Sequence, residues 1–429
     1  MQLKTITIHA GTVFDPKIKK FRENVSVMID PRAGSIVKVV HRDGSAVDMK
    51  KGDIDLRDKI VMPGFVDAHT HIFLHSYKER PSLEQMRDES IVERTIRATN
   101  HVRRALLSGY TTYRDLGTEG MASFDTNVRD AINRGIIPGP RLFVATECLA
   151  STGSYQLRLE NTANGAAGPR ISDACDGVVG VRAAVRRRVA DGADIIKFYA
   201  DYSRKAMRFP PVATGGSSIG IQFPPKEPNP HVVMFNQDEM NAIVDEANLA
   251  GLPVACHAST AKGAVMAAKA GVTSVEHGNM RGDMAPEDVL KEMRRNNTIY
   301  VPTLAIMEFL SVSGMQRTAK QAFDMGVRLA AGGDTGAFNH GEGAWEMELM
   351  IEAGIPLEDV LEACMLGGWE SCGKDRCGYK FGWFEEGNRA DIIALDADPR
   401  IDKGALRKVS FVMKDGKVWK EGGVPVGME

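Results

Sequence analysis

The stretch VMPGFVDAHTH, Val61 to His71, decides how the whole chain reads. An apolar run meets a polar end that carries Asp67, His69 and His71. Residues two apart on a strand share a face, so His69 and His71 point the same way. Seven further runs repeat the theme: YTTYRDLG (110–117), RLFVATECL (141–149), DIIKFYAD (194–201), LPVACHAS (252–259), SVEHGN (274–279), IYVPTL (299–304) and RLAAGGDT (328–335). Longer stretches such as SIVERTIRATNHVRRALLSG (90–109) and FNQDEMNAIVDEANLAG (235–251) lie between them. The first places apolar residues at helical spacing and stops at Gly109. Strands alternating with helices over residues 61–380 predict an α/β fold, a (β/α)8 TIM barrel. An open doubly wound sheet is the runner-up. It would want a Gly-rich phosphate loop after an early strand, and the sequence has none.

Outward from this centre the texture changes. KTITIHA (4–10) and VSVMID (25–30) alternate apolar and polar residues, as do ADIIALDAD (390–398) and VSFVMKDGKVWKEG (409–422). Asp415-Gly416 between two short apolar runs is a hairpin signal. Residues 1–60 and 381–429 are therefore expected to form one small β-sandwich built from both termini, with the barrel inserted between them. Residues 203–236 include the Pro/Gly-rich FPPVATGGSSIGIQFPPKEPNP, too long for an ordinary connection. Such an excursion after a barrel strand reads as a substrate loop or lid, or as a plain surface insertion.

Composition narrows the class. Of 429 residues, 54 are Lys or Arg and 56 Asp or Glu, a net charge of −2 that offers no footprint for nucleic acid or an anionic membrane. No run approaches the roughly 18 apolar residues of a membrane span. MQLKTITIHAG lacks a signal-peptide core. The 6 cysteines form no CxxC pair, which argues against a disulfide framework or a thiolate zinc site and fits a reducing, cytoplasmic setting.

Chemistry gathers at the strand ends. Of 10 histidines, His69, His71, His257 and His277 end strand candidates, and Asp334 ends the last one. A lone histidine in such a place is usually a hydrogen-bonded structural residue. Five residues gathered at strand ends, where barrel active sites sit, instead suit zinc or a similar divalent metal with open positions. Lys197 lies in the apolar run DIIKFYAD. A buried lysine is expensive unless paired, so it is either a snorkelling or ion-paired side chain or an amine carbamylated by CO2. The carbamate would be an anionic, bidentate bridge between two metal ions. Tyr199, two residues on, shares its face and lines a pocket or packs. Arg114 and Asp115 are expected to form a structural ion pair, with orientation of a ligand histidine as the lesser reading.

VMPGFVDAHTH, GYTTYRDLG, GADIIKFYAD, CHAS, VEHG, GGDTGAFNHG and GNRADIIALDADP resemble the amidohydrolase superfamily of metal-dependent hydrolases, over essentially the whole chain. The branch resembled holds prolidase-like metallocarboxypeptidases, imidazolonepropionase-related proteins and ochratoxin-hydrolysing amidases. The resemblance implies that His69, His71 and Asp334 bind a buried metal, and that His257 and His277 bind a more exposed one. Carboxylated Lys197 and a hydroxide would bridge the two ions, zinc being the leading identity. Asp334 would take the proton from the attacking hydroxide and return it to the leaving amine. The resemblance also implies a homo-oligomer.

Secondary candidates are His340 in FNHGEG and His231 in the long insertion, each either a substrate contact or a loop residue. Two departures from the branch stand out. STGSYQLRLE (151–160) follows the third strand where relatives carry a Gly-Gly-His-like run, and Phe235 falls where dipeptide-cleaving relatives carry a tyrosine. An apolar, aromatic-tolerant pocket is expected, which favours N-acyl amino acids, dipeptides or ochratoxin-like amides. A deaminase would want a glutamate soon after His257, where Ala258, Ser259, Thr260, Ala261 and Lys262 stand. A mononuclear cyclic-amide hydrolase would not need Lys197. A lactonase or phosphotriesterase would use the same metal pair. A non-catalytic scaffold would typically lose ligands, and none is missing.

Overall fold

A computed structural model gives the fold and describes residues 5–156, 158–159, 166–203, 230–282 and 284–428. The chain opens with β1 (Ile6–Asp15), β2 (Lys20–Asp30), β3 (Ser35–His41) and β4 (Ile54–Pro63). Then come β5 (Phe65–Thr70), β6 (Tyr110–Asp115), β7 (Arg141–Val144), β8 (Cys148–Ala150) and the short β9 (Arg158–Leu159) and β10 (Ala166–Ala167). They are followed by β11 (Ser172–Ala174), β12 (Ile196–Tyr199), β13 (Asp201–Ser203), β14 (His231–Val233), β15 (Val254–Thr260), β16 (Ser274–Arg281) and β17 (Ile299–Val301). The chain finishes with β18 (Ile392–Leu395), β19 (Val409–Lys414), β20 (Lys417–Glu421) and β21 (Val424–Pro425).

The two ends of the chain pair. β18 runs antiparallel to β4, with Ile392 opposite Pro63 and Leu395 opposite Ile60. The sandwich anticipated from the alternation is, in hydrogen bonding, one eight-stranded sheet of order β21-β20-β19-β18-β4-β1-β2-β3. Alternate residues bury one face: Ile8 and Ala10, Val25, Val27 and Ile29, Ile392 and Ala394, Phe411 and Met413 form a single apolar cluster. Asp415 (φ 50°) and Gly416 (φ 73°) both adopt the left-handed conformation that a two-residue hairpin turn demands. Buried Arg141, at the start of β7, reaches Asp391 at 2.7 Å and Asp415 at 2.5 Å, tying this sheet to the central strands.

The central strands are parallel. β5, β6 and β7 form one sheet, and β11, β8, β12, β15, β16 and β17 another. The third apolar run divides into β7 and β8 around Thr146, whose φ is 59°. The eighth run, 328–335, forms no regular strand, yet it hydrogen-bonds on both sides. Tyr300 donates to Arg328 at 2.8 Å, while Ala68 donates to Ala331 and Thr335 to His69 at 2.9 and 3.1 Å. Gly332 permits this closeness, because a Cβ there would stand 2.6 Å from the His69 nitrogen.

The helices follow their sequence signals. Ile91–Leu107 begins at Ser90, whose side chain accepts from the Glu93 amide, and buries Ala98, Val102, Ala105 and Leu106. Gln237–Leu249 begins with a reciprocal capping box between Asn236 and Glu239. Among the described residues no helix is long and apolar enough to cross a membrane. Most of the long insertion, 204–229, lies outside the described residues, and with it the expected lid.

Candidate metal and active site

The ends of the parallel strands bring the histidines together. His69 is the last residue but one of β5, and His71 follows the strand's end; His257 lies in β15 and His277 in β16. Ring centroids lie 5.3 Å apart for His69 and His71, 4.8 Å for His69 and His277, and 4.6 Å for His257 and His277. Ligand atoms of His69, His277 and Asp334 all lie within 4.8 Å of one another. Asp334 Oδ1 stands 3.3 Å from His71 Nε2 and 3.7 Å from His69 Nε2. His277 and Asp334 both hold left-handed backbone, φ 67° and 62°. For non-glycine residues this conformation costs about 1–3 kcal/mol each and persists only where the surroundings enforce it.

In His69, His71 and His277 the Nδ1 atom is anchored, whereas His257 meets Ser259 Oγ through its Nε2 at 3.2 Å. His69 Nδ1 meets Glu276 Oε2 at 2.9 Å, His71 Nδ1 donates to the Gly117 carbonyl at 2.9 Å, and His277 Nδ1 meets Thr303 Oγ1 at 2.9 Å. Such contacts fix ring orientation and leave Nε2 pointing at the shared centre. Glu276 is in turn held by Arg114 at 2.7 Å. The expected Arg114–Asp115 pair is therefore not what forms. Adjacent strand residues face opposite ways, so Arg114 points at Glu276. Asp115 instead accepts from the Ile72 amide at 2.7 Å and the Thr70 hydroxyl at 3.2 Å.

The electrostatics suit a cation. Burial pulls His69 down to about 4 and His277 to about 3, and holds His257 well below its ordinary value, so three imidazoles are neutral at neutral pH. Burial would raise Asp334, yet the flanking His69 and His71 carry it far below the usual carboxylate range. His71 is the exception: burial lowers it, but Asp334 overrides that and raises it to about 9. Lys197, in β12 beside β15, is 1% exposed, and its Nζ has no hydrogen-bond partner among the described residues. Three neutral imidazoles, a fourth paired with an ionised carboxylate, and a buried amine without a hydrogen-bond partner among the described residues fit a divalent metal centre with a modified lysine; no donor in the set is of the wrong chemistry.

Above these residues a pocket of about 230 Å3 opens, walled by Leu74, Tyr77, Glu119, Tyr155, Tyr199, Ser259, Arg281, Ile306, Met307, Leu310 and Val312. A larger cleft, lined in part by Arg294, Asn296, Arg328 and Lys374, contains none of the strand-end histidines. Tyr199 lines the pocket, stacked 4.4 Å from Tyr155 and tilted 4.5 Å from His257. His340 is not on the pocket wall. It lies buried against His101 at 4.3 Å, and its Nε2 meets the Leu74 carbonyl at 3.0 Å. His231 is not on the wall either. It pairs with Ser203 across the β13–β14 ladder, its ring 6.3 Å from Tyr202. Phe235 packs on Phe198 in the core.

Sequence reasoning missed Glu276, Glu119, Tyr155 and Arg281. Glu276 carried a signal: a glutamate inside an apolar strand needs a buried cation, and Arg114 is the matching arginine in another strand. Glu119 accepts from the Tyr155 hydroxyl and lies 3.7 Å from His71 Nδ1. Nothing in the sequence near STGSYQLRLE pointed to that contact.

A strand-end cluster of imidazoles and one carboxylate over parallel strands is the hallmark of one family, and its model matches residues 60–422: the chain belongs to the amidohydrolase family. It is a hydrolase acting on amide or peptide bonds. The ochratoxinase of Aspergillus niger is 27% identical over 468 aligned residues, covering 99% of this chain and 88% of that protein. Its crystal structure superposes with a TM-score of 0.75 at 25% identity, over 99% of this chain and 97% of that one. A Xaa-Pro dipeptidase with bound methionine gives a TM-score of 0.76 at 30% identity, over 97% and 100% of the two chains. A prolidase complexed with N-methylphosphonate-L-proline gives 0.76 at 26% identity, also over 97% and 100%.

Proposed function

We propose that this protein is a binuclear metal-dependent amidohydrolase that cleaves small amides: N-acyl amino acids, dipeptides or ochratoxin-like amides. One observation carries the reading. His69, His71, His257, His277 and Asp334 converge from distant parts of the chain, and the amine of Lys197, without a hydrogen-bond partner among the described residues, lies buried in the neighbouring strand. The parallel strands are read as a closed (β/α)8 barrel over 61–380, with 1–60 and 381–429 as the small β unit. The ochratoxinase and Xaa-Pro dipeptidase likenesses support the substrate class.

In this reading His69, His71 and Asp334 would hold one zinc ion, and His257 and His277 a second. Lys197, carboxylated by CO2, would supply a further anionic ligand. Such a pair supplies an acidified water as nucleophile and an electrophile for the amide carbonyl. The chain's own groups do the rest. Glu276 and Thr303 hold His69 and His277 in place through their Nδ1 atoms. Asp334 Oδ1 takes a proton from the attacking water and delivers it to the leaving nitrogen, completing the cleavage without a serine nucleophile. The apolar wall of Leu74, Ile306, Met307 and Val312 excludes water and takes the hydrophobic part of the substrate.

The test is a library of N-acyl amino acids, dipeptides and ochratoxin-like amides offered to protein reconstituted with zinc and bicarbonate, with metal counted per chain. Turnover of amides with a metal pair bound supports the reading. Intact amides beside turnover of an aryl lactone or a phosphotriester overturn the substrate class. One bound ion per chain overturns the binuclear site.

A further inference from the structure

We propose that Arg281 reads a carboxylate on the substrate, so that the site selects amides of amino acids with a free α-carboxylate over neutral amides. The inference rests on the amide-hydrolase reading above and concerns the same pocket.

Apart from the strand-end donors, two charged side chains line the pocket, Glu119 and Arg281. Glu119 is already engaged: it is 2% exposed, accepts from the Tyr155 hydroxyl and lies beside His71. Arg281 is exposed, and its side chain makes no hydrogen bond or ion pair with any described residue. The carboxylate whose charge it shares, Asp201, is saturated. It accepts from the Ser259 amide at 2.9 Å, the Thr260 amide at 2.8 Å and the Thr260 hydroxyl at 2.7 Å. Among the described residues, the pocket therefore keeps one cation whose five donor hydrogens meet no acceptor.

Its position follows from the strand. An extended chain would carry residue 281 about 13 Å beyond residue 277. His277, Gly278 and Met280 are all left-handed, with φ 67°, 58° and 48°, and they bend β16 so that Arg281 comes back to the pocket wall. Ile306, Met307 and Val312 line the same pocket and have no hydrogen bond to offer from their side chains. An α-carboxylate is two bonds from the nitrogen of the amide to be cut. One small molecule thus places its scissile carbonyl among His257, His277 and Asp334, its carboxylate on Arg281 and its apolar remainder on that wall. Guanidinium and carboxylate match as a bidentate pair, which a neutral amide cannot form.

The test uses the metal-loaded full chain and two probes, N-benzoyl-L-leucine and its C-terminal carboxamide, following benzoate release. The expected preference for the acid is roughly tenfold to a hundredfold in kcat/KM. In Arg281→Met the ratio collapses toward one, chiefly through KM for the acid, and Arg281→Lys keeps part of it. The KM for the acid rises with salt, because an exposed pair is screened. Equal use of both probes by the unaltered protein, or an unchanged ratio in Arg281→Met, overturns the proposal. If neither amide is cut while a lactone is, the amide reading fails separately. Binding of L-leucine against L-leucinamide by calorimetry then decides the role of Arg281: a preference for leucine lost in Arg281→Met supports it, and its absence overturns it.

Discussion

Arg114 and Glu276 meet at 2.7 Å with both side chains at 0% exposure, and the second oxygen of the same carboxylate meets His69 Nδ1 at 2.9 Å. The guanidinium also donates to the Ala68 carbonyl at 2.6 Å and the Ser274 hydroxyl at 2.9 Å. Three parallel strands are thereby locked to the ring that the metal reading places at the centre. Arg114→Met would leave the carboxylate buried and uncompensated, at a cost of about 3–5 kcal/mol in urea unfolding. Glu276→Gln removes the charge that orients His69, and metal affinity should fall about 10–100-fold in a chelator competition. Affinity within a factor of about two of the unaltered protein would remove Glu276 from that role.

Asp334 is the one carboxylate among the five strand-end groups, and His69 and His71 keep it ionised. Asp334→Asn is expected to retain the fold, seen as an unchanged circular dichroism spectrum, while kcat drops by about 10²–10⁴. A rate near that of the unaltered protein would assign the proton transfer elsewhere.

Lys197 separates two energetic effects. Its buried Nζ has no hydrogen-bond partner among the described residues, so Lys197→Met removes an unsatisfied polar atom at nearly constant length. In chelator-treated protein this variant should be more stable by about 1–3 kcal/mol. With zinc and bicarbonate present, the same variant should bind less metal per chain. Loss of stability in the metal-free state, with full metal content in the loaded one, would mean that Lys197 has a structural partner and no bridging role.

Glu346 is buried at 1% exposure, its Oε2 accepting from the Ala305 amide at 2.7 Å, and burial raises its pKa from 4.5 to about 8. Between those values the folded chain holds a proton that the unfolded chain has released. Stability contributed by this group is thus full below about 4.5, falls as pH rises, and levels off above about 8. Glu346→Gln carries no such dependence. Its stability relative to the unaltered protein should improve steadily from about pH 5 to about pH 8 in urea unfolding. A gap that stays constant would show that Glu346 does not titrate in this window.

Local pattern made much of this molecule readable. His69 and His71 could be placed because a strand repeats every two residues, and the Asp415-Gly416 turn because few other pairs accept two positive φ angles. The Ser90 and Asn236 caps are likewise local chemistry. Lys197 was legible because a lysine in an apolar run has few inexpensive explanations. His340 and His231 were harder, since a histidine in a loop carries no periodicity to say which way it faces. In the fold His340 turns from the pocket to stack on His101.

The amino-acid order alone thus determined the strand-and-helix rhythm, the pairing-prone ends and the identity of the strand-end donors, all of them properties of neighbours within a few residues. The tertiary structure alone decided that Glu276 belongs to Arg114, 162 positions away, that Tyr155 holds Glu119, and that Arg281 returns to the pocket. Charge pairing and burial act through space, and a buried carboxylate is stabilised by whichever cation the packed chain brings to it, irrespective of where that residue falls in the sequence.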